Sequence, residues 1–164
     1  MADVHDYMTR SYNMSRIRSK NTAPELLVRK YLYKKGFRYR LYTSLPGTPD
    51  IVLPRLKTVI FIHGCFWHAH KDCPYFKLPK TRTEWWQLKF EKNKERDRVA
   101  TLKLQEKGWN VIIVWECMLK PKNKYATLHS LEVKLNKILL KKYSIQPLDN
   151  RISSFKCPLD NNDF

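Results

Sequence analysis

Within eleven residues, His63-Gly64-Cys65-Phe66-Trp67-His68-Ala69-His70-Lys71-Asp72-Cys73, this sequence gathers residues that can hold a metal ion and residues that can move a proton. Cys65-x4-His70-x2-Cys73 brings two thiolates and an imidazole together, and Cys117 offers a third thiolate from a distant element. Three sulfurs and one nitrogen fill a tetrahedral shell and leave no open position, so the set predicts structural zinc rather than catalytic zinc. The alternative is a group of unrelated buried cysteines, which are ordinary core residues. Cys157, alone in a polar tail, reads as a bystander.

Pro49-Asp50 stands before a short apolar run, and a second run about ten residues on delivers His63. A carboxylate at a strand end facing a second strand can hold a divalent ion against a phosphate; Pro-Asp is also a common turn. His63 and His68 lie outside the cysteine set, and a neutral imidazole can take a proton from water or deliver one to a leaving oxygen. Either could instead be a structural histidine. Phe66 and Trp67 sit inside the same loop, and Trp85-Trp86 follows Arg82-Thr83-Glu84. Apolar wedges beside basic residues unstack base steps and kink DNA, while core packing remains the ordinary use of such rings.

The elements that must position these groups are legible from spacing. Residues 1–21 are polar and basic, with Arg10, Arg16, Arg18 and Lys20 among Tyr7, Tyr12 and Met14, and read as an arm. Thr22-Ala23-Pro24-Glu25 is a capping box opening a helix through Leu26, Leu27, Tyr31 and Leu32 that closes at Lys35-Gly36. Alternation at Phe37, Tyr39 and Leu41, the run from Asp50 to Leu53 and the run from Thr58 to Ile62 predict three strands in a meander. A long polar helix is expected over 83–107, ending at Gly108. The wholly apolar Val111–Trp115 is expected as a strand inside the sheet, and an amphipathic helix is expected near 125–142. The domain then spans 22–143, with a polar tail over 144–164.

Thirty-two Lys and Arg oppose fifteen Asp and Glu, leaving +17 over 164 residues. So large a charge in one small domain repels itself unless a polyanion neutralises it, which makes nucleic acid the expected partner. No apolar run approaches the roughly 20 residues of a spanning helix, and the N-terminus lacks an apolar signal core, so a cytoplasmic location with reduced thiols is expected.

Taken in order, Met1-Ala2-Asp3-Val4-His5-Asp6, Leu45-Pro46-Gly47-Thr48-Pro49-Asp50, His63-Gly64-Cys65-Phe66-Trp67-His68, Thr81-Arg82-Thr83-Glu84, Lys92-Asn93-Lys94-Glu95-Arg96-Asp97 and Gly108-Trp109 through Trp115-Glu116-Cys117 closely resemble the very-short-patch repair (Vsr) endonucleases, over about residues 1–120. The resemblance implies an α/β fold with a restriction-endonuclease-like core: a central mixed β-sheet flanked by helices, with a structural zinc site. It implies magnesium-dependent, strand-specific nicking of double-stranded DNA 5′ of the thymine in a T·G mismatch, such as deamination of 5-methylcytosine produces. The implied protein is a monomer that works alongside mismatch-repair proteins, with no membrane partner.

Carried over by position, Asp50 is the magnesium ligand and His68 a general acid/base, with His63 and Asp97 in support. Glu25 matches an active-site acid while also serving the capping box. Phe66, Trp67 and Trp86 match the aromatics that wedge beside the mismatch, and the arm with Met14, Arg16, Arg18 and Lys20 closes over the opposite groove. Cys65, His70, Cys73 and Cys117 match the zinc ligands. The chain departs from related restriction enzymes where an acid and a lysine two residues apart are usual, since Phe61 and His63 stand there. Ile62 replaces an expected threonine, and Lys71-Asp72 an expected histidine-rich run. The rival readings are a sequence-specific restriction endonuclease cutting paired DNA on both strands, and a zinc-stabilised DNA-binding module without catalysis.

Overall fold

The computed structural model describes residues 6–16, 20–41 and 43–144. The resemblance block at Met1–His5, Arg18 of the arm, and the tail with Cys157 lie outside these residues. Helix α1 spans Tyr7–Ser15, where Asp6 caps the N-terminus by accepting a hydrogen bond from the Thr9 N–H at 2.7 Å. Its described side chains, from Met8 to Ser15 apart from Arg10, are exposed.

Helix α2 spans Ala23–Lys34. It carries two stripes: Val28 and Leu32 are buried against the core, and Glu25 and Arg29, one turn apart, form a buried polar pair beside it. Gly36 takes φ +86°, and the Phe37 N–H reaches the Leu32 carbonyl at 3.0 Å, a closing geometry that favours glycine. The capping box is altered. Glu25 accepts from the Asn21 N–H (2.9 Å) and the Thr22 hydroxyl (2.8 Å), and the Thr22 side chain makes no cap hydrogen bond to the helix.

Strands β1 (Ile51–Leu53), β2 (Thr58–His63) and β3 (Asn110–Trp115) form one mixed sheet in the order β1-β2-β3. β1 and β2 are antiparallel, with Ile51 opposite Ile60; β2 and β3 are parallel, with His63 opposite Trp115. The parallel pair needs a crossover, and helix α3 (Thr83–Glu106) supplies it. Helix α4 spans Lys124–Ser144. Ile51, Leu53, Ile60 and Val114 pack with α2 and α4 around Leu32, Leu128, Leu131 and Leu135, while Val52, Val59 and Phe61 pack on the other face with Leu104 of α3. β2 is thus covered on both faces, which explains its unbroken apolar run. Among the described residues, no helix is long and apolar enough to cross a membrane.

Two strand expectations need correction. Phe37–Leu41 is not a strand: Arg40 alone bridges to Val52, through hydrogen bonds of 2.7 and 3.0 Å, because the three-residue β1 offers too short a ladder. The meander therefore reduces to one antiparallel pair. β3 does not lie inside the sheet either. It is the edge of the three described strands, and Ile113 is 42% exposed.

Candidate active site and nucleic-acid interface

Asp50 precedes β1, His63 ends β2, and the antiparallel pairing of these strands puts both at one edge of the sheet. Residues of the parity of Val59 and Phe61 face α3, so His63 emerges on that side. α3 brings Asp97 to the same point. Asp50, His63, His68 and Asp97 line one open cleft of about 1150 Å³ with Glu25 and Trp67, and Met14 and Lys20 reach its rim. The turn before Asp50 is pinned by Gly47 at φ +74°, where a Cβ would stand 2.7 Å from the Ala100 Cβ on α3.

The Asp50 carboxylate accepts from the Ile62 N–H at 2.7 Å through Oδ2. Burial pushes its pKa up against that hydrogen bond, and the negative charge of Glu25 adds to the rise. A divalent cation would relieve this cost, and an oxygen-lined position between strand ends suits a hard ion. His63 is pushed down to about 4 by burial and by the neighbouring His68, so its ring is neutral at pH 7. Burial raises the Asp97 carboxyl, but the hydrogen bond and charge of His68 outweigh it and hold the group below its ordinary value. Asp97 is therefore an acceptor only, and at 2.5 Å the His68 Nδ1 must be the donor. That leaves Nε2 as the His68 atom available for proton transfer.

The four predicted metal ligands converge. Cys65, His70, Cys73 and Cys117 place their ligand atoms within 4.8 Å of one another. The His70 Nδ1 lies 3.6 Å from the Cys65 Sγ and 3.5 Å from the Cys117 Sγ. Metal–sulfur and metal–nitrogen bonds of about 2.3 and 2.05 Å at a tetrahedral angle require about 3.6 Å, so the cage fits a tetrahedral ion. Burial pushes the Cys65 thiol up to about 12, and a bound cation is what would hold it as thiolate. The loop closes by wrapping on itself: the His68, Ala69 and His70 N–H groups bond the Gly64, Phe66 and Cys65 carbonyls at 3.0–3.2 Å. It does so with Ala69 and Asp72 at φ +44° and +54°.

The aromatic residues sort into a tip and a base. Trp67 lines the cleft. Behind it, the Phe66 ring meets Trp67, Trp86 and Phe90 edge-on at 5.2, 5.1 and 5.4 Å, and Trp86 stacks on Phe90. Arg16, on the arm, leans on Tyr12 and donates to its hydroxyl at 3.0 Å, away from this cluster.

Comparison with known proteins decides the family. The profile of the DNA mismatch endonuclease Vsr family matches residues 2–74. The chain is 51% identical over 125 residues to the DNA mismatch endonuclease Vsr of Escherichia coli (strain K12), covering 76% of this chain and 80% of that protein. This chain belongs to the Vsr DNA mismatch endonuclease family. It is also 46% identical to the type II nicking enzyme V.XorIIP of Xanthomonas oryzae pv. oryzae, over 79% of this chain and 91% of that protein. The type II nicking enzyme V.NmeAIP of Neisseria meningitidis serogroup A is 49% identical over 74% of this chain and 87% of its own. The chain is thus a Vsr-family DNA endonuclease, and the reading as a binding module without catalysis falls.

Sequence spacing missed three residues of this Vsr-family site. Arg29, buried, donates to Glu25 (2.8 Å), to the Asn21 side chain (2.6 Å) and to the Asp50 main-chain carbonyl (3.3 Å). Its i+4 offset from Glu25 on a helix was the available signal. Asn93, one turn before Asp97 on α3, donates to the Trp67 carbonyl at 2.9 Å. Lys89 sets its ammonium over the rings of Trp85, Trp86 and Trp67 at 4.7, 5.3 and 5.8 Å.

Proposed function

We propose that this enzyme is a magnesium-dependent endonuclease that nicks double-stranded DNA on the 5′ side of the thymine in a T·G mismatch. The observation that carries this reading is the convergence of Asp50, His63, His68 and Asp97 in one cleft that Trp67 also lines, in a chain 51% identical over 125 residues to an enzyme named as a DNA mismatch endonuclease. The fold is read as restriction-endonuclease-like, the protein as a monomer, and mismatch-repair proteins as its companions on DNA.

Asp50 and the Ile62 main-chain carbonyl are the oxygens that would hold magnesium, and neither Phe61 nor a hydroxyl at position 62 is required for that. When bound, magnesium supplies Lewis-acid polarisation of the scissile phosphate. His68, fixed by Asp97, takes the proton from the attacking water through Nε2. The water oxygen bonds to phosphorus as the bond to the 3′ oxygen breaks, that oxygen takes a proton from the surrounding water, and the products carry a 5′-phosphate and a 3′-hydroxyl. His63, neutral and stacked on His68, contacts the phosphate or its water shell without adding charge. Glu25, engaged by three donors, acts by setting the field at Asp50.

Trp67 enters the base stack beside the mismatch, with Phe66 and Trp86 as its support, while the arm with Met14, Arg16, Arg18 and Lys20 holds the opposite groove. Zinc in the Cys65–His70–Cys73–Cys117 cage keeps the loop folded and takes no part in the chemistry. Relatives named as nicking enzymes favour single-strand cutting over the restriction-enzyme alternative.

Purified protein with a T·G duplex, its T·A control, magnesium and, separately, a chelator provides the test. Nicking confined to the T·G strand, absent with chelator and in Asp50→Ala, is expected. Equal cutting of both duplexes, or an active Asp50→Ala variant, overturns the reading.

A further inference from the structure

Trp115 ends β3 at the point where the parallel register sets it beside His63. Its indole lies flat on the His70 ring, with centroids 3.9 Å apart and planes 4° from parallel. Its ring meets His63 at 5.3 Å and His68 at 6.4 Å, each steeply tilted at 77°. His63 and His68 stack on each other at 3.7 Å and 4°. One indole therefore touches a ligand ring of the metal cage and both imidazoles of the cleft. It belongs to neither apolar core.

Two physical constraints give this arrangement direction. An imidazole that ligates through Nδ1 must aim that lone pair at the ion, which fixes the plane of the ring and of any ring stacked on it. Steeply tilted aromatic contacts are favoured because an electropositive ring edge meets a π face. His68 has Asp97 to orient it. Among the described residues, no hydrogen bond holds the His63 ring, whose orientation rests on ring contacts with Phe61, His68 and Trp115.

We propose that Trp115 is a positioning residue that fixes the planes of His63 and His68 from the His70 ring, so that metal in the cysteine–histidine cage sets the geometry of the proton-transfer pair. The proposal rests on the functional reading above for what that pair does. Zinc would then reach the chemistry through one stacked indole, without being part of the reaction.

Three variants test it: Trp115→Leu, Trp115→Phe and His70→Cys, the last keeping four zinc ligands while removing the ring on which Trp115 lies. Each is examined for zinc content, for T·G duplex binding, for single-turnover nicking, and for the His63 and His68 ring resonances by NMR at one fixed pH. His70→Cys and Trp115→Leu are each expected to retain zinc and bind DNA within about two-fold, yet to nick about ten-fold more slowly, the scale of a small misplacement of reacting groups. The double variant is expected to be no slower than either single one, because both break the same link. The His63 and His68 resonances shift in both, and Trp115→Phe falls between them and the unaltered chain.

Unchanged resonances and rate in zinc-loaded His70→Cys, or rate losses that multiply in the double variant, overturn the proposal. Exchange of zinc for cadmium separates it from the functional reading. The exchange should move the His63 and His68 resonances in the unaltered chain, move them less in Trp115→Phe and leave them still in Trp115→Leu, whether or not any duplex is nicked.

Discussion

At the residue scale, the cleft holds its charges against their own preference. Asp50 is raised by burial and by Glu25, so the folded chain binds its proton more tightly than the unfolded chain does. The stabilising contribution of this group is complete below the ordinary carboxylate range and is lost as pH rises through its folded pKa. Asp50→Asn is accordingly expected to melt at a higher temperature than the unaltered chain at pH 7, to lose that advantage in acid, and to nick no DNA; calorimetry at two pH values with a nicking assay checks all three. His63 works in the opposite sense. Its ring takes a proton near 6.5 unfolded but only near about 4 folded, so between these values the unfolded chain binds more protons and stability is lost as pH is lowered from 6.5 towards 4. The loss across that window is roughly 3 kcal/mol. Urea titrations at pH 7, 5.5 and 4 should show it, and a slope that survives unchanged in His63→Asn would assign it to another group.

At the element scale, the loop from Gly64 to Cys73 does more than carry ligands. Ala69 sits at φ +44°, a conformation that costs an L-residue about 1–2 kcal/mol and that a metal in the proposed cage would help to hold. Ala69→Gly should keep zinc and stability, whereas a β-branched Ala69→Val should lose about 1–3 kcal/mol, as measured by denaturant midpoint on the zinc-loaded protein. Helix α2 poses the complementary question, because its polar stripe is buried. Arg29 and Glu25 are an ion pair with 5% and 4% exposure. Removing one partner strands a charge, so Arg29→Met is expected to cost about 3–5 kcal/mol, more than the loss of a surface ion pair. Arg29→Met combined with Glu25→Gln should recover part of that stability while leaving Asp50 less firmly held.

At the scale of the whole molecule, the proposed function divides the work of binding between charge and stacking. With +17 on 164 residues, the affinity for any duplex should fall steeply with salt, since each phosphate neutralised releases about 0.9 counterion. T·G and T·A duplexes should therefore give parallel plots of log K against log salt, offset by the mismatch preference. Trp67→Ala should shrink the offset and leave the slope in place, because insertion into the stack and phosphate contact are separate contributions. A changed slope with an unchanged offset would show that Trp67 serves the backbone instead.

The sequence by itself determined helices α2, α3 and α4, the two apolar strands before the metal loop, the cysteine–histidine cluster and the family, but not helix α1 within the arm. Gly36 and Gly108 end their helices because both closures demand positive φ, and α2 is legible from the Thr22–Glu25 opening and from Leu26, Leu27, Tyr31 and Leu32 at helical spacing. Cys65, His70 and Cys73 were readable because their chemistry is local. Only the tertiary structure decided that Phe37–Leu41 makes a single bridge and that β3 is an edge despite its wholly apolar run. It alone placed Trp115 between the cage and the two imidazoles. The reason is common to these cases. Periodicity along a chain reports which side of an element avoids water, whereas the identity of the neighbour across a sheet edge or a ring face is set by how elements close on one another. That closure joins residues well separated in the chain, as Arg40 and Val52 are, and as His63 and Trp115 are.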